Sequence, residues 1–368
     1  MSPEMSMEMS FSHLLVSALL RAMELLPLIL LTGWQVFLAA VLRPDGVAAQ
    51  PHEGRMRIVR YDRRLTIGAL TVTLVEFIVE FGHQSTMMSH RSLGELGPLI
   101  WPILTQTHFG NVMLAQAVLW GCVAMVWSLR VKAPPAAIAS RRGLLLALVA
   151  LWCLTQSLSG HAADQGSWTV DVLVDWFHLL AVSFWAGGLA ALSILVPALM
   201  RRIEPAAARA LLIRLLERFS PLAMGCVAVL IGAGLFSAHR RGVAFLTPLH
   251  SNYGQLVVIK IVLTGVAVGL GGFSRFIVLP ALRRNGGTDA TCAIGRFRRA
   301  IRVEASAVLL VILAAAVLTQ TPPAGEVSLI SGPMAPVSVD HDHTKHSSGD
   351  MPPMDDHSGE PPDTPSMD

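Results

Sequence analysis

The stretch TLVEFIVEFGHQSTMMSH places Glu76, Glu80, His83, Met87 and His90 at relative positions 0, 4, 7, 11 and 14. At about 100° per residue these positions share one helical arc of roughly 80°. A helix here would carry two carboxylates, an imidazole, a thioether and a second imidazole in one stripe. These are metal-ligand types: imidazole suits copper, nickel or zinc, and thioether favours Cu(I). The segment DVLVDWFHLLAVSFWAGGL repeats the theme, with Asp171, Asp175 and His178 at positions 0, 4 and 7. A carboxylate beside an imidazole can orient it as a ligand and leave one ring nitrogen free. The C-terminal VDHDHTKHSSGDMPPMDDHSGEPPDTPSMD adds His341, His343, His346, Met351, Met354 and His357. Its composition cannot bury enough surface to offset ordering, which predicts disorder over 324–368. A merely solvated tail and a metal-collecting tail both fit it.

Each group also has a structural explanation. Glu76 and Glu80 could pair with basic groups on neighbouring helices, with a helix break near Gly82. His178 and Trp176 could anchor a helix at headgroup level. His161 and His239 could be ligands, and His239 could equally cap its helix. Lys260 could meet a carboxylate or snorkel to the headgroups. Trp185, Gly187 and Gly188 read as packing residues, because small residues let helices approach closely.

These residues must be positioned by membrane helices. Over 368 residues the chain is 53% hydrophobic and only 14% charged, with mean hydropathy +0.55. Its charges are clustered, leaving eight apolar runs near 14–42, 64–82, 109–130, 143–160, 172–198, 219–238, 255–280 and 302–320. A run of about 20 residues crosses a hydrocarbon core. The fold class expected is all-α, a polytopic membrane helix bundle. The segments 43–64, 130–142, 201–218 and 283–302 hold 21 of the 28 Lys and Arg. By the positive-inside rule these face the cytoplasm, so both termini are expected to be external. Of the thirteen histidines only His52 falls on the basic side; Met5, Met7 and Met9 of the first thirteen residues lie on the other. The N-terminus lacks the basic region of a signal peptide.

Cys122, Cys153 and Cys226 fall within spans and Cys292 on the basic side, so they are expected to act as small hydrophobes rather than disulfides. No Walker A, nucleophile-elbow or HExxH sequence is present, and no basic-side segment is long enough to bind ATP. A non-enzyme is expected, and an ATP-driven pump is excluded for this chain alone.

The second half of the chain resembles the bacterial copper resistance protein D family. The likeness runs from RFSPLAMGCVAVLIGAGLFSA through SNYGQLVVIKIVLTGVAVGLGGFSRFIVLPAL to FRRAIRVEASAVLLVILAAAVLTQTPP. It rests on Tyr253-Gly254 with Lys260, on Arg275 with Pro280, and on the Arg302-x-Glu304 pair. Asp175-x-x-His178 followed by Trp185-x-Gly187-Gly188 adds to it. The family implies an N-terminal membrane half (14–217), a three-span domain (218–323), inner-membrane localisation and copper as the ion handled. It also implies a separate periplasmic copper-binding partner of the CopC type. Function is expected to be copper movement inward through His, Met and carboxylate ligands. Alternatives are a b-type cytochrome with bis-His haem and a non-transporting copper scaffold. Carry-over from the family is firmest for His178 with Asp175.

Overall fold

The computed structural model describes residues 3–131, 135–159, 169–200, 203–240, 252–284 and 288–319. Among these the regular structure is helical, without strands. Eight helices are long and apolar enough to cross a membrane. They are α1 (Pro3–Val36), α2 (His52–Ser89), α3 (His108–Val131), α4 (Pro135–Ser159), α5 (Val170–Met200), α6 (Pro205–Arg240), α7 (Asn252–Phe273) and α8 (Thr288–Leu318).

Several helices outrun their apolar cores. Helix α2 starts at His52, α6 at Pro205 and α8 at Thr288, so much of the arginine-rich sequence is helical rather than loop. Hydropathy marks only the part suited to hydrocarbon, whereas Arg, Ala and Leu sustain a helix beyond it. The possible break at Gly82 does not occur. Helix α2 runs on to Ser89 and stops at His90, which takes a left-handed conformation (φ 54°) at the C-cap.

Helices α1 and α5 form the centre. In their most apolar windows 72% and 61% of residues are buried, against 6% in the seventh span, which lies at the periphery. The two cross at Gly33 and Gly187. A Cβ on Gly33 would come within 2.2 Å of the Ser183 carbonyl oxygen, and one on Gly187 within 2.6 Å of the Gly33 Cα. Gly188 opens space for the Phe219 ring of α6, which would lie 2.5 Å from an added Cβ. The packing role expected for both glycines is what the structure shows. Around this crossing α1 faces two cores. Ile29, Trp34 and Phe37 pack with α5, α6 and α8, while Leu28 and Leu31 pack with Leu70 and Phe77 of α2, Val123 of α3 and Trp152 of α4.

The arginine-rich face is stitched by guanidinium groups that satisfy helix-end carbonyls. Past Val36 the first helix widens into a π-helical turn, Phe37–Leu42, before Arg43–Ala48. Arg218 donates to the Val41 and Leu42 carbonyls at 3.2 and 3.5 Å and pairs with Asp45 at 3.0 Å. Arg57 donates to the Ala198 carbonyl at 2.7 Å and Arg142 to that of Leu38 at 3.1 Å. Carbonyls left open at helix ends need such partners. Deeper, Arg130 of α3 pairs with Asp62 of α2 and donates to the Gln35 amide oxygen at 2.7 Å. Trp34 completes the knot by donating to Asp62 at 2.8 Å. All four side chains are buried, so their mutual pairing is what makes the charges tolerable.

Candidate functional site

From Glu76 to Met87 the stripe on α2 is one continuous helical face, with His90 at the C-cap beyond it, and it changes character along its length. Glu76 is buried, only 1% exposed, while Glu80 and His83 are partly buried. Met87 and His90 are exposed at the helix end. The stripe therefore runs from an accessible mouth of soft and borderline ligands down to enclosed carboxylates. One oxygen of Glu76, Oε2, is buried without a hydrogen-bond partner.

The carboxylates face a group that sequence spacing does not single out. Arg21 of α1 pairs with Glu24 one turn on, at 2.5 Å, and donates to the Gln156 amide oxygen of α4 at 3.4 Å. Glu80, Glu76 and Asp175 lie in the neighbourhood of the same guanidinium, and Glu24 in turn lies near both Glu76 and Glu80. Among the described residues the ion pair of Arg21 is with Glu24 of its own helix, not with Glu76 or Glu80. The signal in sequence was Arg21-x-x-Glu24 inside an apolar run, an i, i+3 pair that otherwise reads as a boundary charge.

On α5 the carboxylates and the imidazole take different partners. Asp171 pairs with Arg240 at the end of α6, at 2.8 and 3.3 Å. Asp175 is exposed and lies near both Arg21 and His178. His178 lies partly buried with Lys260 of α7 as its other charged neighbour. An ammonium group opposes any cation at His178, whereas Asp175 favours one. Trp176 is tied down by donating to the Ala150 carbonyl of α4 at 2.9 Å, so it holds α5 against α4. Helices α2 and α5 touch, and both pack on α1. Among the described residues no three His, Cys, Asp or Glu side chains lie close enough to hold a metal ion.

The remaining candidates lie apart from this cluster. His239 is exposed at the end of α6 beside Arg240. His161, His341, His343, His346, Met351, Met354 and His357 lie outside the described residues. A second buried carboxylate appears where two short motifs meet. Glu304 of α8, 3% exposed, lies beside Trp185 of α5. Gly271 of α7 gives it room, since a Cβ there would lie 3.1 Å from Oε1. The Trp-x-Gly-Gly and Arg-x-Glu elements are therefore one packing unit. Cys153 is buried with its thiol 3.9 Å from the Thr32 hydroxyl, as suits a small hydrophobe.

Fold and site together define a multi-pass membrane protein with metal-ligand side chains at one face, leading to carboxylates within the bundle. Residues 12–171 match the copper resistance protein D-like N-terminal domain and residues 213–318 match copper resistance protein D. The two matches lie in tandem and together span most of the chain. The chain belongs to the copper resistance protein D family, whose members are copper resistance and transport proteins. It is 30% identical over 169 residues to the copper transport protein CutJ of Bacillus subtilis (strain 168), covering 46% of this chain and 28% of that protein. It is 29% identical over 191 residues to copper resistance protein D of Pseudomonas syringae pv. tomato, covering 50% of this chain and 58% of that protein. These matches thus span less than two thirds of either relative. No solved structure matches.

Proposed function

We propose that this chain moves copper ions across the bacterial inner membrane, from the periplasm inward, by exchange among His, Met and carboxylate ligands. The observation that carries the reading is the unbroken face of α2. It descends from exposed Met87 through His83 to Glu80 and buried Glu76, with exposed His90 just past its end. Thioether suits Cu(I), and imidazole with carboxylate suits Cu(II), so the mouth can accept either state. Conduction needs sites strong enough to admit an ion and weak enough to release it, and all-oxygen groups beneath the imidazoles meet that need. His178 with Asp175 supplies a further ligand pair nearby. The positive-inside rule places the arginine-rich face in the cytoplasm and the histidine-bearing face in the periplasm. A separate copper-binding protein of the CopC type delivers the ion there, and the His- and Met-bearing tail raises its local concentration.

The test is copper uptake by proteoliposomes holding the purified full chain, with protein-bound copper assayed before and after. Uptake above protein-free vesicles is expected, reduced by replacing His83 together with Met87. Copper binding without flux would leave a scaffold rather than a transporter.

A further inference from the structure

The ligand face of α2 does not stop at Glu76. Counting back from Met87 through His83, Glu80 and Glu76, the same alternation of four and three residues reaches Thr73, Ala69, Thr66 and Asp62. A seven-residue spacing drifts only about 20° per repeat on a straight helix, and α2 is unbroken from His52 to Ser89. Asp62, Thr66, Thr73 and Glu76 are each at most 8% exposed, whereas Val72, Leu74, Val75, Ile78 and Val79 are each at least 39% exposed. The helix thus turns apolar residues outward and a polar seam inward, with Ala69 the one interruption. From Asp62 to Met87 the seam is about 37 Å long at 1.5 Å per residue, more than the roughly 30 Å of a hydrocarbon core. Polar side chains at this depth are costly and mark ion paths.

The seam ends in a closed network. Asp62 pairs with Arg130 of α3 and accepts from Trp34 and Gln35 of α1 at 2.8 and 3.2 Å. Gln35 also reaches the Thr66 hydroxyl at 3.5 Å and accepts from Arg130 at 2.7 Å. Just beyond Gln35, α1 widens into the π-helical turn Phe37–Leu42, a distortion found mostly at functional sites.

We propose that this seam is the inward path below Glu76, and that Asp62 is its exit site for the cation, held closed in this structure by Arg130. The assignment rests on the copper-transport reading and supplies its far end. Hydroxyl and carboxylate oxygens hold a soft or borderline ion less tightly than imidazole or thioether, so the rungs weaken inward and favour release. Thr73 and Thr66 hand the ion down, and Asp62 receives it once the guanidinium withdraws. Arg130 has the Gln35 amide oxygen as a second acceptor, so it frees the carboxylate without leaving the network.

Two measurements separate an exit site from a pair that only holds helices together. Arg130→Met combined with Asp62→Leu exchanges the buried charges for apolar side chains, a change that commonly preserves a fold. For a purely structural pair, thermal stability and copper uptake into proteoliposomes recover together. An exit site instead gives near-parental stability with uptake no greater than in protein-free vesicles, and parental uptake would overturn the proposal. The second measurement is thiol reactivity in the reconstituted full chain. Thr73→Cys, Val72→Cys and Leu74→Cys are treated with a small charged methanethiosulfonate, and labelling is read by mass on α2 peptides, which hold no native cysteine. A hydrated seam makes position 73 react fastest, although it is the buried one of the three. Labelling at 73 no faster than at its neighbours overturns the proposal, and this result decides the matter if the double variant does not fold. Should the parent protein take up no copper, the transport reading fails, while fast labelling at 73 still supports the seam as a path and slow labelling overturns it.

Discussion

Replacing Gly187 by alanine tests the crossing on which the whole bundle is hung. An added Cβ would sit 2.5 Å from the Ile29 carbonyl oxygen and 2.6 Å from the Gly33 Cα. Ordinary contacts for such pairs begin near 3.4 Å, so the overlap is close to 1 Å. Both opposing atoms belong to the α1 backbone, so no side-chain rotation can relieve it. The helices must separate along much of their shared face, loosening Ile29, Leu189 and Leu192, which are each at most 2% exposed. Overpacking of this kind costs about 1–3 kcal/mol. Gly68 supplies the control, because nothing lies within 4 Å of a Cβ built there. Alanine at that position should be neutral or gain up to about 1 kcal/mol from its better helix propensity. Unfolding of detergent-solubilised protein by heat, with helix content followed by circular dichroism, would rank the three proteins. The expected order is Gly68→Ala at or above the parent and Gly187→Ala clearly below it. Parental stability in Gly187→Ala would refute the close approach of α1 and α5.

Four further outcomes follow from particular contacts. Arg130→Met strands the Asp62 carboxylate beside Gln35 and Trp34, at about 3–5 kcal/mol of stability. The double variant with Asp62→Leu should recover most of that in the same unfolding assay. Trp185→Phe removes the indole N–H that lies near Glu304 and should cost about 1 kcal/mol, with recovery when Glu304→Leu is added. His178→Ala should abolish copper uptake, and His178→Trp should fail equally; full uptake by the tryptophan variant would make His178 an anchor. Deleting 324–368 should lower the bound copper measured by elemental analysis while leaving helix content unchanged, whereas undiminished copper would make the tail merely solvating.

The candidate site was legible in sequence wherever its residues share one helix. Glu76, Glu80, His83 and Met87 repeat at helical spacing, so their common face needs only the geometry of an unbroken α2. Where the site depends on two helices, spacing gave less. Asp171 and Asp175 share a phase with His178, yet one pairs with Arg240 of α6 and the other stays exposed. Lys260 was recognisable as a charge in a span, but its position beside His178 required the packing of α7. Arg21 and Glu24 resembled an ordinary pair at the membrane boundary, and nothing local reveals that α2 brings two more glutamates to them.

What the sequence by itself determined was the class of fold and the division of its faces. Eight apolar runs separated by clustered arginines leave a chain one low-energy course, to satisfy each backbone within a helix and cross the bilayer eight times. The alternation of basic residues with histidines and methionines then sorted the helix ends. What only the tertiary structure decided was adjacency. Lipid tails are as apolar as leucine, so hydropathy gives a helix no preference between lipid and another helix. Contact is settled instead by close approach and by polar partners, and both are properties of pairs. Gly33 meeting Gly187, Trp185 meeting Glu304 and Arg130 meeting Asp62 each join residues more than fifty positions apart. Neither member of such a pair carries the other's address, and the central place of α1 and α5 follows only once all the pairs are satisfied together.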